Sequence, residues 1–426
     1  MNILISGHAC LPNAGSELGV TWNWAWNLAA DNRVWVITHG SFRDEIEAYL
    51  RRHPRPGLSF VWVGPFGRWD PWKPPSPSGI RLHYFLWRRA ALRAGRDLIR
   101  VQRIDLVHHI SWCTLSAPPL LWKLEKPFVW GPVGGGQIAP WRFARYLGRD
   151  VGIELIRTIR VKLMPINPIL RRTIAHTDLL LAANRETWTV LTGAGARRLA
   201  MFSDVGASPE EVAAAPGTKR QFHGHLNLVW AGRIENFKGL RIALDALKRV
   251  RSPEVRLLIA GDGPQRRWSE AYAKKHGLAG RVRFLGNLPW AGLQQLFSEA
   301  HLLLFTSLRE TFGSVILEAM AKGCPVICFD RCGAATHLPS DAAIKLDVTS
   351  ARQAVEDLAR AIEHAAAHPA GLRALSQKAY LWAGSQRWDE RAATMADLYR
   401  EMLEAKRMAA FREAVPAGSG MEQTEP

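Results

Sequence analysis

Short apolar runs followed by glycine or proline, and then by a stretch of helical apolar spacing, recur along this chain, at roughly 25–30 positions in its second half. In the first half the runs occupy 2–5, 34–38, 58–63, 105–110, 128–130 and 177–183. In the second they occupy 226–231, 255–260, 282–286, 302–305 and 326–329. A strand that is apolar on both faces must be covered on both faces, and helices alternating with such strands cover them by winding a parallel sheet. The alternation is broken by an irregular segment at 141–172 and by a polar stretch with Pro209, Pro216, Gly217 and Gly224 at 208–225, the best linker candidate. A chain of 426 residues suits two domains. The expectation is therefore α/β, with two Rossmann-like doubly wound parallel-sheet domains over 1–215 and 216–385, helical residues at 386–408 and a disordered tail at 409–426.

Composition narrows the function classes. No apolar run reaches the ~18 residues that cross a bilayer, and Met1-Asn2-Ile3-Leu4-Ile5 reads as a first strand and not as a signal peptide. Five cysteines, an odd number, argue for a reducing compartment, so a cytoplasmic location is expected. Cys324, Cys328 and Cys332 are spaced by four, but Pro325 and Gly333 break any helix that would align them on a metal. The formal charge of +18 asks for an anionic partner: nucleic acid, anionic lipid or a phosphorylated substrate. No nucleic-acid-binding motif is present, and no nucleic acid is expected. Residues 79–103 hold seven arginines against one acid, and 141–172 eight basic residues against two, interleaved with apolar side chains. Such basic amphipathic segments read either as membrane-surface elements or as helices packed on their own domain with a solvated arginine face.

Three places carry chemistry. Glu310-Thr311-Phe312-Gly313-Ser314-Val315-Ile316-Leu317-Glu318 follows the 302–305 strand. Gly313 and Ser314 should open a helix, which sets Glu310 in the loop before it and Glu318 about one turn inside. A helix N-terminus suits a phosphate, and two carboxylates beside it suit neutral partners such as sugar hydroxyls. Gly232-Arg233 ends the 226–231 strand, and Lys238-Gly239 precedes a helix, so two cations at one strand end form a plausible anion clamp. In the first half, the loop around Gly15 joins a strand to a helix, and His109 stands near the end of a strand, where such sheets bind ligands. Gly134-Gly135-Gly136 permits either a close backbone approach or a tight positive-φ turn. No Walker lysine loop, no Gly-x-Gly-x-x-Gly opening a βα unit and no Asp-x-Asp pair occurs.

Taken in order, Gly232-Arg233, Lys238-Gly239, Gly261-Asp262-Gly263-Pro264, Ser307 through Gly313 and Leu317 through Ile327 resemble the family 4 (group 1) retaining glycosyltransferases of GT-B fold. Two positions depart from that pattern: Thr311 and Ala14 stand where the family often has glycine. The resemblance implies a transferase that takes a UDP- or GDP-sugar donor, needs neither metal nor cofactor, and uses front-face attack by an acceptor hydroxyl with retention. It implies that Arg233 and Lys238 grip the diphosphate beside Gly232, and that Glu310 bonds the donor sugar with the Phe312 and Gly313 amides and Ser314. It further implies Glu318 on the ribose, Gly286 at the base, Gly15 against the phosphate and His109 over the donor sugar. The residues from 388 onward would cross back onto the first domain. The acceptor expected is a saccharide or lipid-linked saccharide at an anionic membrane surface, in surface polysaccharide synthesis, with the protein peripheral on the cytoplasmic face. Rival readings are a non-catalytic sugar-nucleotide or lipid-binding protein of the same fold, and an epimerase-type enzyme.

Overall fold

The computed structural model describes residues 1–65, 70, 72, 77–112, 114–212 and 225–414. Two all-parallel sheets form. The first contains β1 (Asn2–Gly7), β2 (Arg33–His39), β3 (Leu58–Val63), β4 (Leu106–Ser111), β5 (Phe128–Val133), β6 (Leu179–Ala182) and β7 (Leu199–Met201), in the order β3-β2-β1-β4-β5-β6-β7. The second contains β8 (Leu226–Ala231), β9 (Val255–Ala260), β10 (Val282–Gly286), β11 (Leu302–Phe305), β12 (Val326–Phe329) and β13 (Ala343–Leu346), in the order β10-β9-β8-β11-β12-β13. In both, the chain starts in the middle, builds one edge, then returns to build the other. The reversal leaves a crevice at the carboxyl ends of β1 and β4, and another at those of β8 and β11, which is where doubly wound sheets bind ligands.

The strands are buried on both faces, as their continuous apolar runs require: β4, β5 and β6 have every residue buried, as do β11 and β12. The edge strands β7 and β13 had no clear sequence signal. Each is short and only partly buried, so neither displays a long apolar run.

Seven helices matter to the site: α1 (Ser16–Leu28), α2 (Pro77–Val101), α3 (Val151–Leu163), α4 (Pro168–Ala175), α5 (Leu240–Leu247), α6 (Ser314–Ala321) and α7 (Trp388–Ala414). Helix α7 lies on the first domain, where Trp388, Met395 and Tyr399 join its core. The Trp388 ring meets Trp24 of α1 edge-on at 5.3 Å, and the Tyr399 hydroxyl lies 2.5 Å from His108 Nδ1. The helix continues through Ala414, past the point at 409 where the sequence suggests disorder; the remainder of that tail lies outside the described residues, as does most of the linker expected at 208–225.

The irregular 141–172 segment serves both domains. Phe143, Tyr146 and Leu147 pack into the core of the second domain, with Phe143 and Phe329 ring centroids 6.0 Å apart. Tyr146 donates to Asp245 at 2.9 Å. Helices α3 and α4 return to the first domain through Val161, Leu170 and Ile174. Cys10, Cys324, Cys328 and Cys332 are buried free thiols; Cys328 is part of β12, whose strand geometry points it into the core with its neighbours.

Candidate functional site

At the end of β8 the backbone is packed too tightly for side chains. A Cβ on Gly261 would fall 2.0 Å from the Gly232 carbonyl oxygen, and the Gly261 amide donates to Gly286 at 2.7 Å. Gly232, Gly261 and Gly286 thus form a continuous glycine floor across β8, β9 and β10, each with positive φ. One turn on, Gly239 (φ +73°) lies against the Thr306 carbonyl, which a Cβ would approach to 2.2 Å. The Thr306 hydroxyl accepts from Trp230 Nε1 at 3.1 Å and donates to the Lys238 and Gly239 carbonyls at 3.1 and 2.9 Å. This buried knot fixes where Lys238 emerges from its loop.

Lys238 Nζ forms an ion pair with Glu310 Oε2, each side chain about one-fifth exposed. The pair bridges the β8 and β11 loops across the reversal point of the sheet. Gly313, at φ +98°, turns the chain from Glu310 into α6. A Cβ there would lie 2.7 Å from the Phe305 ring, so the turn admits no larger residue without displacement. Phe312 is buried. Glu318 follows inside α6, where loss of hydration, with the nearby Glu211 charge adding to it and a hydrogen bond from Ser314 opposing it, pushes its carboxyl up to about 7. Arg233 stands apart from Lys238: its side chain is 65% exposed and paired with Glu235 at 2.7 Å.

From the first domain, Gly15 caps the N-terminus of α1, and a Cβ there would touch nothing within 4 Å, so the cap faces open space. Two acids that the sequence reading did not select stand beside this loop. Glu17 accepts from the Ser111 hydroxyl at 2.8 Å, and lost hydration raises its carboxyl to about 7, with Asp204 adding repulsion. The residue nonetheless keeps an exposed surface. Burial raises Asp204 to about 6, and Glu310 raises it further from the opposite domain while Arg391 opposes the shift. Neither acid has a spacing or a neighbour in sequence that marks it. Their common environment arises from chain segments far apart in sequence, and the Glu310 charge reaches Asp204 only when the domains meet. His109 is buried, with Ser6 and Tyr84 hydroxyls 3.1 Å from its two ring nitrogens, and burial lowers it to about 3. Its two ring nitrogens thus face partners inside the first domain, Ser6 on β1 and Tyr84 on α2.

Thr311 is where the domains touch. A Cβ on Gly134 would fall 2.7 Å from its hydroxyl, Gln137 Nε2 donates to that hydroxyl at 3.1 Å, and Asn184 Nδ2 donates to its carbonyl at 3.0 Å. The glycine triplet therefore serves both ends left open by the sequence: Gly134 allows the close approach and Gly135 takes φ +107°. Beside it, Arg309 pairs with buried Glu154 of α3 at 2.7 Å and lies 3.9 Å above the Phe237 ring. The arrangement is a cleft with one lysine–glutamate pair, three carboxyls raised toward neutrality and an open helix start. Carboxyls near half-ionisation can both donate to and accept from hydroxyl groups, which favours a polyhydroxyl ligand over a purely cationic one.

Residues 219–382 match the family model of the glycosyl transferases group 1. A phosphatidylinositol N-acetylglucosaminyltransferase chain of Arabidopsis thaliana is 24% identical over 324 residues, 71% of this chain and 67% of that protein. The 2-deoxystreptamine glucosyltransferase of Streptomyces kanamyceticus is 28% identical over 335 residues, 75% of this chain and 83% of that one. Among solved structures, Anabaena Alr3699/HepE in complex with UDP and glucose aligns with a TM-score of 0.56 at 19% identity, covering 95% of this chain and all of its own.

Proposed function

We propose, on the premise of a GT-B fold whose second domain is that of the group 1 glycosyl transferases, that this protein moves a sugar from a nucleoside diphosphate sugar to an acceptor hydroxyl with retention of anomeric configuration. The observation that carries the reading is the Lys238–Glu310 pair at the β8–β11 reversal, between the glycine floor and the start of α6. A bound diphosphate takes Lys238 as its counter-charge, which releases Glu310 to accept from sugar hydroxyls. Arg233 exchanges Glu235 for the same diphosphate, and the Gly313 and Ser314 amides face it from the helix start. Charge develops on the leaving phosphate as the anomeric C–O bond breaks, and groups fixed in advance around that charge lower the barrier. The departing phosphate oxygen takes the acceptor proton, so the step needs no separate base and no resident metal. Glu318 holds the ribose, the Gly286 backbone meets the base, and Gly15 approaches the phosphate from the first domain.

The acceptor we propose is a saccharide carried at an anionic membrane surface. Helix α3 is inverted relative to an ordinary surface helix: Glu154 is buried, while Ile153, Ile156, Ile159 and Leu163 are half to two-thirds exposed. Ile166 and Ile169 extend the stripe, and Arg160, Lys162, Arg171 and Arg172 flank it. Exposed apolar residues beside cations suit the interface of an anionic bilayer. No helix among the described residues is long and apolar enough to cross a membrane. One of the two relatives acts on phosphatidylinositol by its name, the other on an aminocyclitol; only the first supports this choice. Vesicles with anionic lipid should carry the protein on flotation, and Ile156→Glu should leave it in the soluble fraction.

The donor is tested by thermal unfolding with UDP, GDP, ADP and their sugar conjugates. One of them at 100 times its dissociation constant adds about 2.7 kcal/mol, and the shift should vanish in Arg233→Ala. No shift with any nucleotide would overturn the donor assignment.

A further inference from the structure

Beyond the cleft, the carboxyl ends of β1 and β2 meet the first part of α2 through three histidines that the transferase reading does not use. His8 follows β1, His39 ends β2 and His83 lies on α2; all three are fully buried. One nitrogen from each lies within 4.8 Å of one from each of the others. The near approaches are His8 Nε2 to His83 Nδ1 and His39 Nε2 to His83 Nε2, both 3.4 Å. Two nitrogens bound to one tetrahedral zinc ion, with bonds of about 2.0–2.1 Å, lie roughly 3.4 Å apart. With one nitrogen taken from each ring, one edge of the triangle therefore already has a coordination span, and the others lie within 4.8 Å. The two near approaches use opposite nitrogens of His83, so a turn of that ring between its neighbours is what closing the remaining edges takes.

The surroundings match a metal better than a plain hydrogen-bonded cluster. His8 Nδ1 is buried with no partner among the described residues. Behind His39, the Ser41 hydroxyl donates to Asp70 Oδ2 at 2.5 Å and lies 2.7 Å from His39 Nδ1. With its own proton given to Asp70, that oxygen accepts Nδ1–H and leaves the Nε2 lone pair directed at the His83 side, the outer support that metal-bound imidazoles have. The Ser41 amide, 3.1 Å from the same nitrogen, favours the other tautomer, and a cation would select between them. Trp72, Trp87, Trp112 and Tyr84 surround His8 with ring centroids at 5.1 to 6.0 Å. Three imidazoles in an apolar box select zinc and its late first-row neighbours over magnesium or calcium.

We propose that His8, His39 and His83 form a binding site for a zinc-class divalent cation, which ties β1 and β2 to α2 and takes no part in sugar transfer. The sequence positions are far apart, and no ligand spacing joins them.

The test uses the full chain, freed of metal with chelator and carrying His364→Gln. That substitution removes the exposed His364–His368 pair, whose stacked rings could bind metal at the surface. Cobalt is added and the visible absorption recorded. The proposal expects the intense band of a tetrahedral ion, saturating at one equivalent, displaced by zinc, and zinc should raise the unfolding temperature. His39→Gln and His83→Gln should each abolish the band, and Ser41→Ala should weaken zinc about 10-fold. A folded protein with only the weak band of six-coordinate cobalt overturns the proposal without any further variant. So does an intense band that survives both histidine substitutions, since the ion would then sit elsewhere. In either case the three rings are a hydrogen-bonded chain from Asp70 to His8 and nothing more.

Discussion

Lys238 and Glu310 are paired with each other, and in the proposed reaction the diphosphate that takes Lys238 leaves Glu310 to the sugar hydroxyls. Lys238→Ala should therefore lower transfer by roughly 10²–10³-fold, the usual effect of removing a group that meets transition-state charge. Initial rates of sugar transfer measure it, and a rate within a few-fold of wild type would remove Lys238 from the site. Asp204 makes a different prediction. Its carboxyl is raised from 3.8 to about 6, so the folded protein keeps a proton that the unfolded chain gives up. The stability associated with that proton is fully present below pH ~4 and is lost as pH rises through about 6. Glu17 and Glu318, raised to about 7, extend the loss toward neutrality. Asp204→Asn should flatten the lower part of this slope and unfold at a higher temperature than wild type at pH 8, with little difference at pH 4. Thermal scans at the two pH values decide it.

Among the helices, α7 does the most to join the ends of the chain. Its Trp388 is 5% exposed and packs on Trp24 of α1, the helix that Gly15 opens beside the cleft. Removing that indole leaves a cavity under α1, the helix that the Gly15 loop opens. Trp388→Ala should cost about 3–5 kcal/mol, read from denaturant midpoints, and should raise the donor KM as well, because the start of α1 loses its backing. Helix α3 shows the opposite economy, with apolar residues outward and Glu154 inward. Its periodicity alone was compatible with packing on the domain or on a membrane. The direction of its apolar face became known only once Glu154 was found bonded to Arg309 across the domain boundary.

Two sheets, each reversing at its middle, bring their reversal points to one cleft, and the contacts between the domains include Thr311 on the glycine triplet, Asn184 on the Thr311 carbonyl, the Cys332 amide on Glu186 and Arg309 on Glu154. The last is mostly buried, and breaking such a pair leaves an uncompensated charge. Glu154→Gln should loosen the domains, with a larger radius of gyration by small-angle scattering and a weaker donor affinity, while each domain keeps its own core. An unchanged radius would assign closure to the other contacts between the domains.

The alternation of apolar runs and helical faces was enough to predict two doubly wound sheets, because burial on both faces of a strand is written into consecutive residues. The strand-end glycines and Glu310, Glu318, Lys238 and Gly313 were legible for the same reason: each lies within a few positions of the strand or helix that places it. Edge strands β7 and β13 were not, since a short, half-buried strand has no distinctive pattern. Arg233 could be placed in its loop, but which acid it pairs with depends on side-chain direction. His109 shows the limit from the other side: its strand was evident, yet Ser6 and Tyr84, which hold its ring inward, come from other elements. Glu17, Asp204 and the triad of His8, His39 and His83 are the clearest cases. Their chemistry depends on charge, hydration and distance between residues far apart in the chain, quantities that exist only after the chain has folded.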